Sequence, residues 1–170
     1  SAGSDVLRSQ LLYRTEIDDP PTTQALCVTP SRELAIQIFE KAVKPMAANM
    51  VGLKIQLAIA GTMIERSVGL KAHLVIGTPG KVVDWLKRKT IKTDNIKVFV
   101  LDEADNMVAE GGHRANSQII KKQMPKTCQS LLFSATFPDD VVKFADKMIN
   151  NPDKILIEHG PEFLVRLRHC

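Results

Sequence analysis

The amino-acid sequence predicts an α/β domain, an open and mostly parallel sheet with helices on both faces. Short β-branched runs alternate with amphipathic stretches along the chain, a βαβ rhythm without internal repeats or low-complexity tracts. Several of those runs are apolar almost throughout, as strands covered on both faces are. The 170 residues are 44% apolar and 25% charged, the profile of one ordinary globular domain able to bury roughly 70% of its unfolded surface.

Taken in order, strands are expected at Ala25 to Thr29, Ile55 to Ala60, His73 to Gly77, Val98 to Leu101, Ser130 to Phe133 and Lys154 to Ile157. Between them Leu34, Ile38 and Ala42 recur at helical spacing, as do Val82, Val83 and Leu86, and Val141, Val142, Ala145 and Met148. Helices therefore join parallel strands by right-handed crossovers, and ligands belong beyond the carboxyl ends of the strands. Val6, Leu7, Leu11 and Leu12 suit a helix that no strand-like run precedes, and residues 160–170 read as neither strand nor finished helix. A single, N-terminally truncated domain is expected over residues 1–170, with its core at about 24–158 and the flanks 1–9 and 160–170 either appended or irregular native tails.

Composition narrows the class. Cys27, Cys128 and Cys170 form no C-x-x-C pair, which supports neither a zinc site nor a disulfide framework and fits a reducing compartment. No apolar run exceeds five residues and Ser1 opens no signal-like segment, so a soluble intracellular protein without a membrane span is expected. The formal charge of +4 permits a polyanionic partner without requiring one.

The chemistry-bearing residues stand where the strands are expected to end. Asp102-Glu103-Ala104-Asp105 follows Val98 to Leu101 at once. An Asp directly after an apolar strand is how nucleotide-hydrolysing folds hold Mg²⁺, usually through water, and an adjacent Glu can orient or deprotonate the attacking water. The same acids would equally cap the next helix. Thr29-Pro30-Ser31-Arg32 and Thr78-Pro79-Gly80-Lys81 each open an amphipathic helix, with Pro suited to the first helical position and Thr or Ser to the cap. Such helix starts bind phosphates, and Arg32 or Lys81 adds a charged contact. Two such corners on one edge suit a nucleic-acid backbone better than one small ligand, although either alone would pass for a well-made helix start. Ser134-Ala135-Thr136 brings hydroxyls to the same edge, either to hydrogen-bond to the Asp102 cluster or to satisfy local backbone before Pro138. The cations between Lys81 and Lys97 extend a basic surface or form the solvated side of a helix; Trp85 is assigned to packing, and His113 has no second ligand at metal spacing.

Together these residues resemble a DEAD-box RNA helicase, specifically the first of its two RecA-like domains. Pro30-Ser31-Arg32-Glu33-Leu34-Ala35 is similar to the family's P-T-R-E-L-A motif Ia, and Ala60-Gly61 falls where Gly-Gly is usual. Thr78-Pro79-Gly80-Lys81 resembles motif Ib, T-P-G-R, while Asp102 to Asp105 matches motif II and Ser134-Ala135-Thr136 matches motif III. The stretches 75–80 and 96–105, with Asp84, Trp85 and Met107, are most similar to the branch that serves mRNA export at nuclear pores.

The resemblance implies a RecA-like fold of the P-loop NTPase type, ATP and Mg²⁺ as cofactors, and ATP-dependent unwinding of RNA and remodelling of RNA–protein complexes. It implies residence in cytoplasm and nucleus, including the nuclear pore. It further implies that Asp102 contacts hydrated Mg²⁺, that Glu103 handles the attacking water, and that Asp105 pairs with Ser134 and Thr136. Pro30, Ser31, Arg32, Gly61, Thr62, Thr78, Pro79, Gly80 and Lys81 would hold the RNA sugar–phosphate backbone irrespective of sequence. Implied partners are RNA, a second RecA-like domain with its arginine finger, and nuclear-pore export factors.

The sequence departs from the pattern in having Ser31 for Thr, Ala60 for Gly and Lys81 for Arg. It contains no G-x-x-x-x-G-K-[ST], its first lysine being Lys41, and neither the adenine-recognising Q motif nor the second domain. The chain by itself is therefore expected to be inactive in ATP hydrolysis and unwinding. A sheet without its P-loop strand is expected to leave a gap, close differently or borrow a strand by self-association. Two other readings stand beside the helicase: a nucleotide-independent RNA-binding module, and a metal-dependent phosphohydrolase using Asp102 and Asp105, the latter weaker for want of a second ligand cluster.

Overall fold

Four apolar runs and one longer mixed run become parallel strands in a computed structural model, which describes residues 21–48, 50–65, 69–109, 112–149 and 152–155 and the backbone of 163–165. The strands are β1 (Ala25–Val28), β2 (Ile55–Ala58), β3 (Leu74–Gly77), β4 (Val98–Leu101) and β5 (Gln129–Ser134), joined by a short β6 (Phe163–Val165). Their order is β2-β3-β1-β4-β5-β6, with β1 to β5 mutually parallel and β6 antiparallel to β5. Every residue of β1, β3, β4 and β5 is buried, the pattern of strands covered on both faces.

The alternation of side chains along β1 divides the core in two. Leu26 and Val28 face a layer that includes Val82, Met107, Ile120 and Phe144, whereas Ala25 and Cys27 face Ala35, Ile38, Val43 and Met46. The first layer comes from α3 (Pro79–Lys87), α4 (Ala104–Val108), α5 (Arg114–Gln123) and α6 (Asp139–Met148); the second comes from α1 (Arg32–Ile38), a π-helical turn at Phe39–Val43 and α2 (Lys44–Ala47). Pro45 stands at the start of α2, and the Lys44 N–H reaches back to the Phe39 carbonyl. A proline cannot donate to the carbonyl four residues earlier and collides with it, so widening the preceding turn lets the chain continue. Among the described residues no helix is long and apolar enough to cross a membrane.

Two expectations need correction. Residues 152–155 have no regular structure, so no strand begins at Lys154, and 156–157 lie outside the described residues. Lys154 instead pairs with Asp146 on α6 at 2.9 Å, and Ile155 is 42% exposed: among the described residues no strand pairs with this β-branched local pattern. The sixth strand comes from the C-terminal flank expected to be neither strand nor helix, pairing Phe163–Val165 with Leu132–Ser134. The sheet thus closes at β5 with a strand of this chain, one of the three alternatives foreseen. The helix expected at Val6 to Leu12 lies outside the described residues.

Position 77 has to be glycine. A Cβ there would lie 2.5 Å from the Ala58 carbonyl oxygen and 2.7 Å from its Cβ. Both contacts lie on β2, so relief requires shifting a strand. Gly77→Ala is expected to cost about 2 kcal/mol or more, lowering Tm by roughly 4–8 °C in thermal unfolding followed by circular dichroism. An unchanged Tm would show that β2 and β3 are not packed this closely.

Candidate functional site

Strand register decides where the loops emerge. Val28 is level with Gly77 on one side and Leu101 on the other, and Gly77 is level with Ala58. The segments that begin at Thr29, Ile59, Thr78 and Asp102 therefore leave the sheet along one line. Ser134 closes β5 two residues beyond Leu132, the partner of Leu101, and brings Thr136 to the same edge.

Of the three carboxylates Asp102 sits deepest. Its side chain lies in a residue only 6% exposed, and its N–H donates to the Val28 carbonyl at 3.0 Å, fastening the end of β4 to the end of β1. One carboxylate oxygen accepts the Glu103 N–H at 3.1 Å. Burial pushes the Asp102 carboxyl up from 3.8 to about 6, against the lowering effect of that hydrogen bond and with further raising by the charges of Glu103 and Asp105. Glu103 is held with left-handed backbone, φ 53° and ψ 55°, costly for any residue with a Cβ. Its carboxylate accepts from Asn106 Nδ2 at 2.8 Å.

Asp105 joins two loops. Its carboxylate accepts from the Thr136 hydroxyl at 2.9 Å and the Thr136 N–H at 3.2 Å. Ser134 makes a different contact from the one expected: its hydroxyl accepts the Asp105 backbone N–H at 3.1 Å and donates to the Thr136 carbonyl at 2.7 Å, leaving the carboxylate to Thr136. Nothing in S-A-T spacing distinguishes these roles; the depth of β5 does, because Ser134 is 4% exposed and cannot reach out to the carboxylate side.

The two helix starts differ. Ser31 caps α1 by accepting the Leu34 N–H at 3.1 Å, while Thr29 Oγ1 donates to the Ser31 carbonyl at 3.0 Å; Pro30 stands before the cap instead of inside the helix. Arg32 is exposed. In α3 Pro79 takes the first turn as expected, but Thr78 makes no side-chain cap bond. Its backbone is used instead, the Thr78 N–H donating to Ala58 and its carbonyl accepting from Val82, each at 3.0 Å. Between them Thr62 N–H donates to Ile59 at 3.1 Å across a turn whose Gly61 has φ 88°, the left-handed third position of a type II turn. Ala60 and Gly61 are exposed, and a Cβ on Gly61 would meet nothing within 4 Å. Sequence reasoning overlooked the Lys81 ammonium 5.7 Å over the Trp85 ring, a contact that their spacing by four on one helix could have indicated.

With this geometry in place, comparison with known proteins is direct. A family model described as DEAD/DEAH box helicase matches residues 7–144. The chain belongs to this helicase family. It is 43% identical over 145 residues to the ATP-dependent RNA helicase DBP5 of Meyerozyma guilliermondii, covering 85% of this chain and 29% of that protein. It is 45% identical over 155 residues to human ATP-dependent RNA helicase DDX19A, covering 91% of this chain and 32% of the relative. Saccharomyces cerevisiae Dbp5 bound to RNA and ADP BeF3 superposes with a TM-score of 0.77 at 36% identity, over 87% of this chain and 37% of that one. A Dbp5 variant bound to Nup159, Gle1, IP6 and ADP gives 0.79, with 36% identity and coverage of 87% and 38%. The chain thus has the RecA-like fold of a DEAD-box helicase and spans about a third of the length of its curated relatives.

The raised Asp102 carboxyl makes a pH prediction. The unfolded chain releases this proton near 3.8 and the folded one near 6, so the folded state holds it more tightly and is progressively destabilised as pH rises through that window. The gap between 3.8 and about 6 corresponds to about 3 kcal/mol. Asp102→Asn is expected to be more stable than the parent at neutral pH by up to this amount without Mg²⁺, with the difference vanishing below about pH 4. Denaturant unfolding across the pH range measures it, and parallel curves for the two proteins would contradict it.

Proposed function

We propose that the chain is the nucleotide- and RNA-facing edge of an ATP-dependent RNA helicase of the DEAD-box class, acting on RNA duplexes and RNA–protein complexes. The observation that carries this reading is the level ending of β1 to β4, which brings an acidic turn and three backbone-rich turns to one rim. The residues fit a hydrated Mg²⁺ bound with ATP. Among the described residues no three His, Cys, Asp or Glu side chains are grouped to hold a metal directly, whereas the single buried Asp102 carboxylate suits a cation that keeps its waters. A bound Mg²⁺ supplies neutralising charge to the nucleotide phosphates. Glu103, positioned by Asn106, accepts the proton of the attacking water. Asp105 and Thr136 tie that chemistry to the loop after β5, and Ser134 holds the tie in register.

RNA lies on the turns at Pro30, Ser31 and Arg32, at Gly61 and Thr62, and at Thr78, Pro79, Gly80 and Lys81, read by its sugar–phosphate backbone and hence without sequence preference. A second RecA-like domain with an arginine finger, nuclear-pore export factors, and partners such as the Nup159 and Gle1 bound to yeast Dbp5 complete the working assembly on this reading. On this reading the protein belongs to the mRNA-export branch and works in cytoplasm and nucleus, including the nuclear pore.

The 170 residues carry no glycine-rich loop ending in Lys-Ser or Lys-Thr, which favours RNA binding without ATP turnover for this chain taken alone. No Mg²⁺-dependent hydrolysis above a Glu103→Gln control is expected; turnover above that control would contradict the assignment of phosphate binding to a P-loop. Single-stranded RNA is expected to bind, and Arg32→Ala or Lys81→Ala to weaken all RNA sequences alike while lowering the salt slope by about 0.7 each. Fluorescence polarisation over a salt series decides this, and sequence-dependent losses would overturn backbone reading.

A further inference from the structure

A cavity of about 910 Å³ runs from Thr62 and Lys81 at the carboxyl edge, along α3, to Thr22, Thr23 and Asn95 near the amino ends of β1 and β4. From Lys81 to Lys89 the helical rise is about 12 Å, so the cavity is a groove leading away from the edge. Its charged lining is Lys81, Arg88, Lys89 and Lys92 against Glu65, Asp84 and Asp94. Asp84 already holds Arg88 Nε at 2.7 Å, which leaves Lys89 and Lys92 as the cations of the far end, where Asp94 also lines the groove. Thr90 and Asn95 add a hydroxyl and an amide beside them.

Lys89 supplies a separate observation. It follows α3 with φ 57°, its N–H donating to Leu86 at 3.0 Å while the Thr90 N–H donates to Trp85 at 2.8 Å. That pair of bonds is the Schellman closure, whose left-handed residue is usually glycine because a Cβ is sterically costly there. The chain keeps a lysine at a position that favours glycine, and that lysine lines the groove.

We propose that this groove is a second nucleic-acid site, taking the RNA strand that leaves the Thr62 and Lys81 corner, with phosphates on Lys89 and Lys92 and ribose hydroxyls on Thr90 and Asn95. It rests on the RNA-binding function proposed for the edge. Continuity with that corner selects RNA over an acidic peptide, the other ligand a lysine-ended groove would suit.

The test uses the 170-residue chain, a short oligouridylate that fills only the corner, and a longer one that reaches the groove. Lys89→Gly is expected to raise Tm by about 3 °C, by removing the left-handed side chain. It should also weaken the longer oligonucleotide roughly tenfold, lower its salt slope by about 0.7, and leave the short one unchanged. Lys92→Ala, which leaves the turn's backbone alone, should reproduce the RNA effects without the gain in Tm. Unchanged affinity and slope for the longer oligonucleotide in both variants overturns the groove site while leaving the corner intact. Polyglutamate binding that Lys89→Gly weakens, with RNA unaffected, assigns the groove to acidic peptides and equally overturns it. Failure of the unsubstituted chain to bind either oligonucleotide removes the RNA function of the edge, and the groove site with it.

Discussion

The level ending of parallel strands is the constraint from which the rest of the molecule follows. A register slip of one residue would turn every side chain of a strand to the opposite face, exchanging the two halves of the core. The interior therefore enforces the alignment that the rim uses. Two local devices sharpen it: the absent Cβ of Gly77 lets β2 sit tightly against the end of β3, and the Asp102 N–H closes onto Val28 across the β1 and β4 boundary. That boundary is also where the chain, having run from β1 out to β2 and back in to β3, crosses over to build the other side of the sheet. In open α/β sheets such a reversal opens the crevice in which ligands bind.

The rim holds groups in states the isolated fold disfavours. Asp102 ionises against the pull of burial, and Glu103 occupies a left-handed backbone that costs about 1–2 kcal/mol relative to glycine. Neither state improves packing, since an amide at 102 would accept the same N–H and a glycine at 103 would fit the same turn without strain. Their joint occurrence at the end of a fully buried strand marks a place where stability gives way to chemistry. A hydrated cation beside Asp102 would oppose the desolvation that raises its carboxyl, so the same burial that weakens the empty fold strengthens a charged ligand's grip.

Much of this was legible in the sequence. The strands ending at Val28, Gly77 and Leu101 were readable because double-sided burial demands continuous apolar runs, and the turns after them because Pro, Thr and Asp have known preferences at strand and helix ends. What escaped depends on partners distant along the chain. Phe163–Val165 pairs as a strand because β5 offers it an edge, whereas among the described residues no strand pairs with Ile155. The left-handed Glu103 is invisible because the local sequence has no glycine to announce it. Thr78 looked like a side-chain cap and instead contributes its backbone, since β2 places the Ala58 carbonyl within reach of its N–H.

The linkage between the turns after β4 and β5 has a graded construction suited to opening. Its inner bond, from the Asp105 N–H to the Ser134 hydroxyl, ends on a side chain only 4% exposed, where loss of a partner would leave a buried polar group unsatisfied. Its outer bonds, from the Thr136 hydroxyl and N–H to the Asp105 carboxylate, lie at an exposed residue where water can replace either donor. Solvent competition reduces each outer bond to about 1 kcal/mol, well within what a bound nucleotide or RNA strand can redistribute, whereas breaking the inner one would be substantially harder. The Ser134 end is therefore the fixed point, holding the Thr136 carbonyl at 2.7 Å as well, and the Thr136 hydroxyl and N–H are the contacts that can exchange Asp105 for water without loosening the strand that carries them.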